Sequence, residues 1–67
     1  MRYCGHEIRV RTHLSRHDPT WSAFYEILQL GSETIVTTGV IVGSFSSSAE
    51  AEQAAIAASK LWIKNHA

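Results

Sequence analysis

From His6 to Ser15 apolar and polar side chains alternate. Ile8, Val10, Thr12 and Leu14 share one side, and Glu7, Arg9, Arg11 and His13 share the other. A period of two residues belongs to a strand with one buried face, so the pattern predicts a strand over about 6–15. The segment Arg16-His17-Asp18-Pro19-Thr20 reads as a turn, with Pro19 fixing φ and Asp18 bonding the local backbone. A second strand is expected over about 20–30. It sorts Trp21, Ala23, Tyr25 and Ile27 onto one side, with Ser22, Phe24, Glu26, Leu28 and Leu30 on the other. The first of these sides is expected to face the core, because Ala23 leaves room for a helix and Glu26 prefers water. Gly31-Ser32-Glu33 forms a natural hairpin loop, since glycine tolerates positive φ. A third run over 34–45 is rich in β-branched residues and is interrupted by Gly39 and Gly43. Glycine inside a strand marks a bulge or bend. A hairpin at Thr38-Gly39 would instead divide this run in two and give four strands.

Beyond Phe45 the period changes. Ser47 and Glu50 stand in the spacing of a capping box, in which the serine accepts from a first-turn N–H and the glutamate reaches back. A helix is expected over about 48–65. Ala51, Ala54, Ala55, Ala58, Leu61 and Trp62 fall on one face of it, a low surface of methyl groups suited to lying across a sheet. Ile56 and Ile63 form a separate stripe, roughly 120° away at 100° per residue. The whole chain, 1–67, reads as one α+β domain. Its expected form is a three-stranded antiparallel sheet, or a four-stranded one, with a C-terminal helix packed on one face.

Composition narrows what such a domain can do. Sixty-seven residues bury a thin core, which small domains usually reinforce with disulfides, a metal or a second subunit. Cys4 is the only cysteine, which rules out an intramolecular disulfide and points to a reducing, cytoplasmic setting. Met1 leads into polar residues without an apolar leader stretch, and no run is long enough to span a membrane. Six basic residues balance six acidic ones. A neutral chain argues against binding driven mainly by charge, although Arg2, Arg9, Arg11 and Arg16 gather in the first quarter. The helix carries Glu50 and Glu52 at its start and Lys60 and Lys64 at its end, which suits its macrodipole.

Catalytic and ligand-binding patterns are weak. Cys4-x-His6 and His13-x-x-x-His17 are the only spacings suggestive of a metal. The second pair would need a helix, where the pattern predicts a strand end and a turn. Ser46, Ser47 and Ser48 are accounted for by capping, and Asp18 beside His17 by the turn. Gly39 and Gly43 lack the sequence of a phosphate loop. No catalytic residue, metal or cofactor is expected, and an enzyme would need a site shared between subunits. One helix covers one face of a sheet. The uncovered face, carrying Arg9, Arg11, His13, Phe24, Glu26 and Leu28, and the Ile56/Ile63 stripe are therefore the candidate interaction surfaces. The expected partner is a second copy of the chain in a homodimer, with another protein as an alternative. A nucleic acid read by the Arg9/Arg11/His13 strand face is a further alternative, because sheet faces can enter grooves and aromatic residues can stack on bases.

The run Gly43-Ser44-Phe45-Ser46-Ser47-Ser48-Ala49-Glu50-Ala51, with Ala54, Ala55 and Ala58 behind it, resembles the strand-to-helix junction of the plant ethylene-response-factor DNA-binding domain. Trp21-Ser22-Ala23-Phe24 with Ile27 is similar to that domain's second strand. Integrase arm-binding domains share the layout of three strands and a helix. The resemblance implies a sheet inserted in the major groove, with Arg9, Arg11 and Trp21 at the contacting positions. The basic, glycine-rich opening of the plant family is absent here. Over nearly its whole length the chain also resembles short bacterial stand-alone β-β-β-α proteins of uncharacterised function. That likeness rests on Tyr3-Cys4-Gly5-His6-Glu7-Ile8, on Trp21, and on Lys60-Leu61-Trp62-Ile63. It implies the fold and no activity.

Overall fold

The alternating runs become strands within a residue of their expected limits. The computed structural model describes residues 1–66, and every side chain among them except that of Ser44. It contains β1 (Arg2–Tyr3), β2 (His6–Leu14), β3 (Trp21–Gln29), β4 (Ile35–Phe45) and α1 (Ser48–His66). The strands form one open antiparallel sheet in the order β1-β2-β3-β4, giving an α+β fold with a single C-terminal helix.

The sheet has four strands, but the additional one lies at the N-terminus and the Ile35–Phe45 run stays whole. Tyr3 and His6 pair across a two-residue turn in which Cys4 (φ 47°) and Gly5 (φ 78°) both take positive φ. That is the backbone of the tight hairpin whose twist matches its strands. The Met1 amino group donates to the Ile8 carbonyl at 3.1 Å, and the Ile8 N–H donates to the Met1 carbonyl at 2.6 Å, extending this short edge.

In the β2–β3 turn the local side-chain acceptor is Ser15, where the sequence suggested Asp18. The Ser15 hydroxyl receives the N–H groups of His17 (3.3 Å) and Asp18 (3.4 Å), while Asp18 offers its backbone carbonyl to Thr20 at 2.7 Å. The β3–β4 loop turns through Gly31 (φ 95°) and Glu33 (φ 55°), and the Gln29 N–H donates to Thr34 across its base at 2.9 Å.

Register fixes the two faces. Ile8 stands opposite Ile27, Val10 opposite Tyr25 and Thr12 opposite Ala23, and all lie on the side that α1 covers. β4 is regular from Thr37 to Ile41, with Gly39 directly opposite Tyr25. Its irregularities flank that stretch. One falls at Val36, and the other falls between Ile41 and Phe45, a segment containing Gly43. Gly43 therefore belongs to a bulge and Gly39 does not.

The helix is capped as its serines suggest, with one change of partner. The Glu50 N–H donates to the Ser47 hydroxyl at 3.2 Å, and the Ala51 N–H donates to the Ser47 carbonyl. The Glu50 carboxylate reaches past Ser47 to Ser46, accepting from its N–H at 3.2 Å and its hydroxyl at 2.8 Å.

The helix face on the sheet differs from the alanine stripe. Fully buried positions are Ala51, Ala55, Ser59 and Ile63, whereas Leu61 is 58% exposed. At 100° per residue the buried stripe is turned by roughly 80° from the expected one. Ser59 explains the turn. Its small side chain lets the helix approach, and its hydroxyl is satisfied by the Ala55 carbonyl at 2.8 Å. A rule that counts only apolar residues passes over it. Ile63 then joins Ile8 and Ile27 in one core cluster, while Ala51 and Ala55 join Ala23 in the other. Among the described residues no helix is long and apolar enough to cross a membrane.

Candidate functional site

α1 packs on β2, β3 and β4 from one side, and among the described residues no element lies over the opposite side of the sheet. Strand alternation places Glu7, Arg9, Arg11 and His13 of β2 on this open face, next to Ser22, Phe24, Glu26 and Leu28 of β3. Arg9, Arg11 and His13 are exposed, as expected. Arg9 is not a free cation, because its Nε donates to a Glu7 carboxylate oxygen at 2.9 Å and Glu26 is its register partner. Arg11 stands opposite Phe24, which is half-buried.

Two of the expected interaction residues are not available at the surface. Leu28 keeps only 3% of its surface although it lies on the open face, flanked in register by Glu7 and Ile35. Ile63 keeps 1% and is part of the core. The Ile56/Ile63 stripe is thus divided: Ile63 holds the helix to the sheet, and Ile56 sits half-buried at the flank. It does not form an exposed apolar strip.

The apolar surface lies elsewhere, on β4. Val40 is 62% exposed, Ile35 52%, Val36 41% and Val42 86%. Val40 lies on the open face opposite Phe24, and Ile35 opposite Leu28. Across the face, from β2 to β4, charge gives way to hydrocarbon. β4 is also a sheet edge, bonded to β3 alone. Between Glu33 and Glu50 no residue is charged and none is proline. Edges of natural sheets are commonly blunted with lysine, proline or inward-pointing charge, and here such residues are missing. Which faces the helix covers does not reveal this surface. The uncharged β-branched run over 34–45 was its visible signal.

The β2–β3 turn and the bulged end of β4 enclose a wide cleft of about 720 Å³, lined by His13, Arg16, His17, Asp18, Trp21 and Val42 among others. His13 and His17 both border it, but among the described residues no three of His, Cys, Asp and Glu stand together as a metal-holding group. The other suggestive spacing is occupied locally, with His6 Nδ1 lying 3.0 Å from the Cys4 carbonyl. Cys4 itself is exposed. At the helix end, His66 stacks on Trp62 with ring centroids 4.2 Å apart, and Lys60 Nζ sits 5.4 Å from the centre of the Tyr3 ring. These contacts tie the end of α1 to its own surroundings.

No family model, curated protein or solved structure matches the chain.

Proposed function

We propose that the protein is a small, non-catalytic interaction module that self-associates through the part of the sheet α1 leaves uncovered. The observation that carries this reading is the apolar surface of β4, where Val40 and Val42 expose 62% and 86% of their area. Contiguous exposed hydrocarbon on a small domain commonly marks an interface. The core gives a physical motive. Its buried apolar residues are Ile8, Ala23, Ile27, Leu28, Ala51, Ala55 and Ile63, and three of these are alanines contributing little area. Burial of further hydrocarbon between two copies offsets that shortage. Since Ile63 lies in the core, the helix stripe gives no second route.

Size-exclusion chromatography with light scattering tests the reading. A dimer mass at high micromolar concentration is expected, and a monomer throughout the range would overturn it. The nucleic-acid alternative is disfavoured by the Arg9–Glu7 pair and by Glu26 beside it, which leave no continuous cationic track on the face. Mixed DNA and RNA at low salt should give no mobility shift. A salt-sensitive shift abolished by Arg9→Ala with Arg11→Ala would put nucleic-acid binding in its place.

A further inference from the structure

We infer that two copies join edge to edge, β4 pairing antiparallel with β4 of the second copy about a two-fold axis at Gly39, so that the two sheets become one. This rests on the self-association proposed above and assigns its geometry. The sheet has two open edges: β4 presents eleven residues, and on the other side β1 covers only the start of β2, leaving Arg9–Leu14 open with Arg9, Arg11 and His13 along it. Charged side chains of this kind blunt an edge, so the uncharged β4 is the better template for another strand. With the β2 edge blunted by its charges, pairing through β4 closes at two chains and does not run on into a fibre.

Charge favours the same pairing. In a two-fold interface every residue near the axis meets its own counterpart or a near neighbour of it, so any charge there repels itself. β4 and its flanks carry none from Thr34 to Ala49. An edge of this composition suits a second copy of itself, whereas an edge recognising a charged segment would carry the complementary sign.

The regular stretch of β4 sets the position of the axis. The irregularities at Val36 and beyond Ile41 confine straight pairing to Thr37–Ile41, whose centre is Gly39. With the axis there, Val40 faces Thr38 of the second copy on the open side, and Ile41 faces Thr37 of the second copy on the helix side. β-branched side chains pack well against neighbours on a pleated surface. The glycines meet where no side chain separates them, and the Tyr25 ring already lies across each from its own chain. The molecule's accessible surface is 4592 Å², so a standard interface of about 800 Å² per partner would take roughly a sixth of it. A short edge pairing buries less, which makes this a reversible dimer that dissociates on dilution.

Light scattering on three proteins, with a cross-linking pair, tests the geometry. Val40→Lys sets like charges near the axis at a mostly exposed position, and should yield a folded monomer by circular dichroism and mass. Arg11→Glu, on the open face of β2 away from the β4 edge, should remain dimeric like the wild type. In a Cys4→Ser background, Thr38→Cys and Val40→Cys chains mixed one to one should form a disulfide dimer faster than either alone. A wild-type dimer that survives Val40→Lys and gives no preferential cross-link would overturn the edge geometry while leaving self-association standing. A wild-type monomer would overturn both. A monomer that instead adds an unrelated extended peptide along β4 would assign the edge to a different partner and equally overturn the inference.

Discussion

The ring of Tyr25 lies across Gly39, its register partner on β4, so closely that a β-carbon at Gly39 would overlap the ring and its hydroxyl. The glycine is therefore a seat for an aromatic side chain that also packs against both core clusters. Gly39→Ala should destabilise the domain by about 1–3 kcal/mol, the range for forced overpacking, even though alanine suits a strand better than glycine does. Combining it with Tyr25→Leu should cost less than the sum of the two single changes, because the second removes the obstacle to the first. Thermal unfolding of the four proteins measures the coupling, and strict additivity would mean that the ring does not rest on Gly39.

The two stripes of α1 should respond differently to substitution. Ile63→Ala removes a buried side chain packed on Ile8 and Ile27 and should cost about 2–5 kcal/mol, enough to unfold a domain of this size. Leu61→Ala, at a position 58% exposed, should stay within about 0.5 kcal/mol. Ser59→Ala should be nearly neutral, since the hydroxyl lost has only the Ala55 carbonyl as its partner, and that oxygen already accepts within the helix. Denaturant melts of the three variants would reveal the order. A larger loss at Leu61 than at Ile63 would mean that the helix lies on its alanine face after all.

At the start of α1, Ser47→Ala should cost about 1 kcal/mol by removing the acceptor for the Glu50 N–H. Because the Glu50 carboxylate bonds to Ser46, Ser46→Ala should cost less, leaving the N–H contact in place. Equal losses in melting temperature would contradict this division of labour.

The hairpin at the N-terminus holds a non-glycine residue, Cys4, at φ 47°. Asparagine tolerates this conformation better and is favoured in such turns. Cys4→Asn should therefore stabilise by about 0.5 kcal/mol, read as a rise in melting temperature. A fall would mean that the thiol makes a contact on which the fold depends.

Much of this architecture was legible in the residue pattern, and the exceptions have identifiable causes. Period-two alternation around Ile8–Leu14 and Trp21–Ile27 locates β2 and β3, and the small Ala23 with the charged Glu26 identifies the Trp21/Ala23/Tyr25/Ile27 side as the core face that the fold shows. β1 escaped because two residues have no period. Its only trace was the Cys4-Gly5 turn that makes it. The helix limits followed from Ser47, but the orientation did not. A buried serine at 59 breaks an apolar count while packing like an alanine, so such a count runs the stripe through Leu61 and leaves out Ile63. Leu28 was expected to be exposed because alternation assigns a face and cannot reveal how closely neighbours such as Glu7 and Ile35 crowd it. The surface now most suggestive of function depends on strand order, which local periodicity does not encode.

Amide hydrogen exchange along β4, followed as a function of protein concentration, tests edge pairing most directly. Within Thr37–Ile41 alternate N–H groups point to β3 and the others point outward from the sheet edge. If two copies pair through this strand, the outward amides should gain protection as concentration rises into the dimer range, while those bonded to β3 and the exposed amides of the β3–β4 loop change little. Outward amides that exchange equally fast at every concentration, in a protein that light scattering shows to be dimeric, would contradict the account.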